Sequence, residues 1–216
     1  LFFALKIMIK TKICGITNLD DAQQAADNGA DAIGFNFYKG SKRYIAPSDA
    51  AAIVEKVTMR VEKIGVFVNA SVEEIVEIED TAQLDTVQLH GDETPEFIES
   101  LRLESDATII KAVRIGQGFE PRNVLKYKAD AILLDAFSDV ERGGTGMTID
   151  RTVARQVAEL VDRVYLAGGL TPENVAEAIR EVRPFAVDVA SGVESSPGEK
   201  DPAKVAAFIE AAKEAL

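Results

Sequence analysis

Polar and apolar positions along this chain alternate between two rhythms. Short apolar runs rich in β-branched residues stand between longer segments whose apolar positions recur every three or four residues. From residue 8 onward the order is strand, helix, strand, helix. Strands are expected at 10–14, 32–37, 63–68, 86–89, 108–113, 131–134, 163–166 and 185–189. Helices are expected at 19–28, after Pro47-Ser48, after 69–71, after Thr94-Pro95, at 119–126, at 150–160, after Thr171-Pro172 and at 202–216. The pattern is weakest at 119–126. Local punctuation supports the helix starts: Asn18 is a good N-cap, Asp20 and Asp21 place negative charge in a first turn, and Pro95 suits a first helical position.

Strands that alternate with helices imply a parallel sheet. Eight such units, with no linker or low-complexity break between them, predict a single (β/α)8 TIM barrel over residues 8–216. A doubly wound open sheet is the alternative, and the lack of a GxGxxG after the first strand weighs against it. Residues 1–7, ahead of Met8, are expected to be an N-terminal extension of uncertain origin. They are apolar but too short to span a bilayer, and they lack the basic region and cleavage site of a secretory signal.

Composition then narrows the classes. Hydrophobic residues make up 47% and charged residues 28%, as in globular proteins. A net charge of −12 argues against nucleic acid or an anionic membrane as partner. One cysteine excludes an intrachain disulfide and fits a reducing cytoplasm; with one histidine besides, a zinc cluster has no ligands to draw on. An anionic small molecule remains possible where local donors gather.

In a barrel every strand delivers its carboxyl end to one shared mouth. Cys14 ends the first strand, Arg43 follows the second, His90 the fourth and Asp135 the sixth, and Asp188 lies in the eighth. Side chains alternate along a strand, so Lys12 shares a face with Cys14 and Gln88 with His90. Each has a bland alternative. Cys14 could be a buried structural thiol, Asp135 a turn carboxylate, His90 a loop hydrogen-bonder and Arg43 part of a solvated basic loop. Glycines cluster in three late loops: Gly143 to Gly146, with Gly144 at its centre, then Gly168-Gly169, then Ser191-Gly192. Such loops let backbone N–H groups approach a phosphate closely.

These residues also carry a family resemblance. Lys12-Ile13-Cys14-Gly15-Ile16-Thr17 resembles the opening motif of phosphoribosylanthranilate isomerases of tryptophan biosynthesis. So do Ser41-Lys42-Arg43-Tyr44, Gln88-Leu89-His90-Gly91, Leu133-Leu134-Asp135, Gly143-Gly144-Thr145-Gly146, Ala167-Gly168-Gly169-Leu170 and the run from Val187 to Glu194. The resemblance implies a cofactor-free Amadori rearrangement of N-(5-phosphoribosyl)anthranilate, with no metal. It implies Cys14 as general base, Asp135 as general acid and Arg43 as binder of the anthranilate carboxylate. His90, Gly144, Gly168, Gly169, Asp188, Ser191 and Gly192 are expected to hold the rest of the phosphorylated substrate. Met147 stands where the family often has Lys, which throws phosphate binding onto backbone donors. Another phosphosugar barrel enzyme, or a barrel that binds a phosphometabolite without turnover, are the rival readings. A monomer or homodimer in the cytoplasm is expected.

Overall fold

The computed structural model describes residues 9–57, 60–116, 118–136 and 150–216. Eight parallel strands follow one another around a closed barrel: β1 Lys10–Cys14, β2 Ala32–Asn36, β3 Glu62–Phe67, β4 Thr86–Leu89, β5 Thr108–Ile115, β6 Ala131–Ala136, β7 Val164–Leu166 and β8 Ala186–Val189. The ring closes where β1 pairs with β8, Lys12 standing opposite Asp188. An open doubly wound sheet has no such pairing, so the alternative fold falls. Around the barrel lie α1 Leu19–Asp27, α2 Pro47–Lys56, α3 Val72–Ala82, α4 Pro95–Glu104, α5 Arg151–Ala158, α6 Val175–Val182 and α7 Pro202–Lys213. None of the described helices is long and apolar enough to cross a membrane.

Alternation along the strands sorts side chains into two cores. Ile13, Ile33, Phe35, Phe67, Val87, Leu89, Ile132, Leu134 and Val187 face the helices in the larger one. Ala32, Ile64, Ile110, Ala112, Leu133, Tyr165 and Ala186 fill the barrel's interior. The inner face turns polar towards the carboxyl ends, where Lys12, Cys14, Gln88, Asp135 and Asp188 sit in phase with those interior residues. One periodicity thus builds the plug below and the polar mouth above.

Three elements differ from the sequence pattern. After β5 the chain forms a 3₁₀ helix, Pro121–Tyr127, and no α-helix over 119–126. Only Val124 is buried there, and Lys128 ends the turn with φ of 48°. A segment with so little apolar face gains little from α-helical packing. The helix expected after Thr171-Pro172 begins at Val175, because Asn174 first ties the turn together by accepting from the Thr171 N–H and donating to the Gly169 carbonyl. Beyond β8 a short hairpin appears, β9 Glu194–Ser196 with β10 Glu199–Lys200, turning through Gly198 at φ of 89°.

Candidate active site

The carboxyl ends of the strands enclose a cavity of about 410 Å³, a size suited to a small-molecule ligand. Cys14, Arg43, His90, Asp135, Asp188, Gly168, Gly169, Ser191 and Gly192 all line it. Gly144, and with it the Gly143 to Gly146 loop and Met147, lies outside the described residues. Among the described residues no group of three or more His, Cys, Asp or Glu is placed to hold a metal.

Cys14 ends β1 partly exposed at the cavity floor, with Lys12 fully buried beneath it. Gly34, its partner across the β1–β2 pair, makes room: a Cβ there would lie 2.9 Å from Cys14 Sγ and 3.2 Å from Lys12 Cε. Lys12 Nζ lies 3.1 Å from Asp188 Oδ1 and donates to Gln88 Oε1 at 2.8 Å. Burial works against the Lys12 charge, yet the Asp188 carboxylate and the Cys14 sulfur more than offset it and hold the ammonium above the ordinary lysine range. Desolvation pushes the Cys14 thiol up; Lys12 and Lys200 pull against that shift, and Asp188 adds to it.

Opposite, across the mouth, β6 delivers Asp135, buried to 7% exposure. His90 Nε2 stands 3.3 Å from Asp135 Oδ2, and His90 Nδ1 lies 2.8 Å from Gln88 Nε2. In the β5–β6 register Arg114 sits beside Asp135 and brings a guanidinium whose Nη2 is buried without a hydrogen-bond partner among the described residues.

Arg43 is held by the hairpin. Its Nε and Nη2 each donate to a Glu194 carboxylate oxygen at 2.7 Å, a bidentate pair that fixes the plane of the fork. Lys200 Nζ donates to Glu194 Oε1 at 3.0 Å, to the Cys14 carbonyl at 2.6 Å and to the Ala190 carbonyl at 3.3 Å, joining the ends of β1 and β8. Burial alone raises the Glu194 carboxyl, but Arg43 and Lys200 reverse this and hold it below the usual carboxylate range. Burial lowers the Lys200 ammonium despite Glu194.

The two described glycine loops meet on one side of the cavity. A Cβ at Gly192 would stand 1.9 Å from the Leu170 carbonyl oxygen, so only glycine lets these loops touch. Gly168 and Gly169 both adopt positive φ, 83° and 68°. Lys200 and Arg114 carry no local signal of function in the sequence, and Glu194 enters only as the last residue of a family motif, with no role of its own. The Pro197-Gly198 turn signal between Glu194 and Lys200 was the one available clue to the hairpin. Lys12 and Gln88 were placed on the right face but given no role.

A family profile described as N-(5'phosphoribosyl)anthranilate (PRA) isomerase matches residues 11–211. The N-(5'-phosphoribosyl)anthranilate isomerase of Trichlorobacter lovleyi is 47% identical over 209 residues, covering 97% of this chain and 100% of that protein. A crystal structure of phosphoribosyl anthranilate isomerase from Thermotoga maritima superposes with a TM-score of 0.89 at 43% identity, over 95% of this chain and 99% of the other. A further structure of such an isomerase, in complex with reduced 1-(o-carboxyphenylamino)-1-deoxyribulose 5-phosphate, gives a TM-score of 0.85 at 42% identity, over 95% and 99% of the two chains.

Proposed function

We infer the working of this site from one premise: the chain belongs to the N-(5'-phosphoribosyl)anthranilate isomerase family. Its reaction is the Amadori rearrangement of N-(5-phosphoribosyl)anthranilate to 1-(o-carboxyphenylamino)-1-deoxyribulose 5-phosphate. The single-domain barrel over residues 8–216 supplies the two groups this chemistry needs, from strands three steps apart around the ring. That Cys14 and Asp135 line one cavity is the observation that carries the assignment.

Asp135 acts as general acid. It gives its proton to the furanose ring oxygen as the bond from that oxygen to C1′ breaks, and the anthranilate nitrogen lone pair forms the iminium. Cys14 acts as general base. Its thiolate takes the proton from C2′, and the C–H electrons become the C1′–C2′ double bond of an enolamine. Protonation at C1′ and loss of the C2′ hydroxyl proton then give the ketone. Lys12 and Lys200 favour the thiolate electrostatically, against the desolvation of the site.

Arg43, oriented by Glu194, faces the anthranilate carboxylate. The phosphate rests on the backbone of Gly168, Gly169, Ser191 and Gly192. Asp188 acts on the substrate through Lys12, and His90 through Asp135. A free thiol that must stay reduced to work fits a cytoplasmic enzyme, monomeric or homodimeric.

A coupled fluorescence assay with phosphoribosylanthranilate formed in situ tests the function. Loss of the substrate's fluorescence at a rate proportional to enzyme is the expected result. Tight binding without turnover would leave a phosphometabolite-binding barrel in its place.

A further inference from the structure

A polar chain runs from Lys12, beneath the cavity, through Gln88 and His90 to Asp135 in its lining, and its hydrogen-bond logic admits one arrangement. Lys12 carries donors only, so Gln88 must turn its carbonyl oxygen towards it, at 2.8 Å. That sends the amide nitrogen of Gln88, also a donor only, to His90 Nδ1 at 2.8 Å. Nδ1 must therefore accept, and the ring proton sits on Nε2. Nε2 in turn faces Asp135 Oδ2 at 3.3 Å, so the ring proton lies on the side of that carboxylate.

We propose that Gln88 is a positioning residue for the isomerisation: held by Lys12, it fixes His90 as the Nε2–H tautomer, and His90 then binds Asp135 at Oδ2. This rests on Asp135 being the acid. The consequence for the acid is twofold. A ring N–H directed at Oδ2 holds the carboxyl in one orientation towards the substrate. The same hydrogen bond strengthens as Asp135 becomes a carboxylate, because a charged acceptor binds a donor more strongly than a neutral one. It therefore stabilises the transition state of proton transfer more than the ground state. The far end of the chain is the ammonium that also faces Cys14, so one lysine organises both sides of the mouth.

The sequence contains one histidine, so ¹⁵N-histidine labelling reads His90 alone. Long-range ¹H–¹⁵N spectra of the wild-type protein should give an unprotonated Nδ1 and a protonated Nε2. In the near-isosteric Gln88→Glu a carboxylate oxygen faces Nδ1, which should then carry a proton. Gln88→Leu should leave a mixture of tautomers. Both variants should lose kcat by about tenfold or more, on the scale of acid catalysis, with KM changed far less. His90→Gln, whose amide nitrogen can donate to Asp135, should recover part of the loss and make a further Gln88→Leu change nearly silent. A wild-type ring protonated on Nδ1 would overturn the proposal, as would Gln88 variants that keep full kcat. The acid assignment fails separately: full turnover by Asp135→Asn would remove it and leave the tautomer result standing.

Discussion

Cys14 has to lose a proton before it can take one. Burial at the cavity floor raises its thiol, and two lysines only partly counter this. The thiolate fraction should therefore keep growing above the ordinary thiol range near about 8.5. As the chain has one cysteine, the rate of alkylation by iodoacetamide reports this thiol directly and should climb with pH through that range. A rate already maximal at neutral pH would show a depressed thiol instead. At the rim, Arg43→Met should raise KM about ten- to a hundredfold, the loss of a charge-assisted hydrogen bond of roughly 1.5 to 3 kcal/mol. A substrate analogue lacking the ring carboxylate should not notice the change. Cys14, Arg43 and Asp135 were legible in the sequence because strand ends and a family motif mark them. Glu194 also closes a family motif, but its role was not legible, for it meets Arg43 from 151 residues away and no local pattern records that contact.

The β9–β10 hairpin is the element on which the site's charges depend. It brings Glu194 to Arg43 and Lys200 to the Cys14 carbonyl. The Glu194 carboxyl is depressed in the folded protein relative to the unfolded chain. Its contribution to stability is thus fully present above about pH 4.3, the unfolded carboxyl value, and is lost as pH falls through the folded value. Acid titration of the melting temperature should show this loss, and Glu194→Gln should flatten it. Gly192→Ala probes the neighbouring loops. The added methyl would press on the Leu170 carbonyl, costing about 1 to 3 kcal/mol as in other overpacked sites. It should also weaken inhibition by inorganic phosphate; unchanged melting and unchanged inhibition would mean the loops part freely. Sequence periodicity found the eight strands because each alternates against a buried face. It overstated the helix at 119–126, where the apolar face is too thin, and passed over a hairpin only two or three residues deep on each side.

At the scale of the molecule, charge and topology act together. A chain of net charge −12 gathers Lys12, Arg43, Lys200 and Arg114 at one end of the barrel, where Asp188 and Glu194 offset part of their charge, so the cations act on an anionic substrate at short range in the mouth. Barrel closure then sets Cys14 and Asp135 on facing walls, with roughly 3 Å of reach needed from each to its target. That two-sided geometry is the centre of the account. The coupled fluorescence assay tests it most directly when run on the wild type, Cys14→Ala and Asp135→Asn, with binding of the reduced product analogue measured in parallel. Each variant should lose about 10²- to 10⁴-fold in kcat while still binding the analogue. Near-normal kcat in either variant would contradict the account.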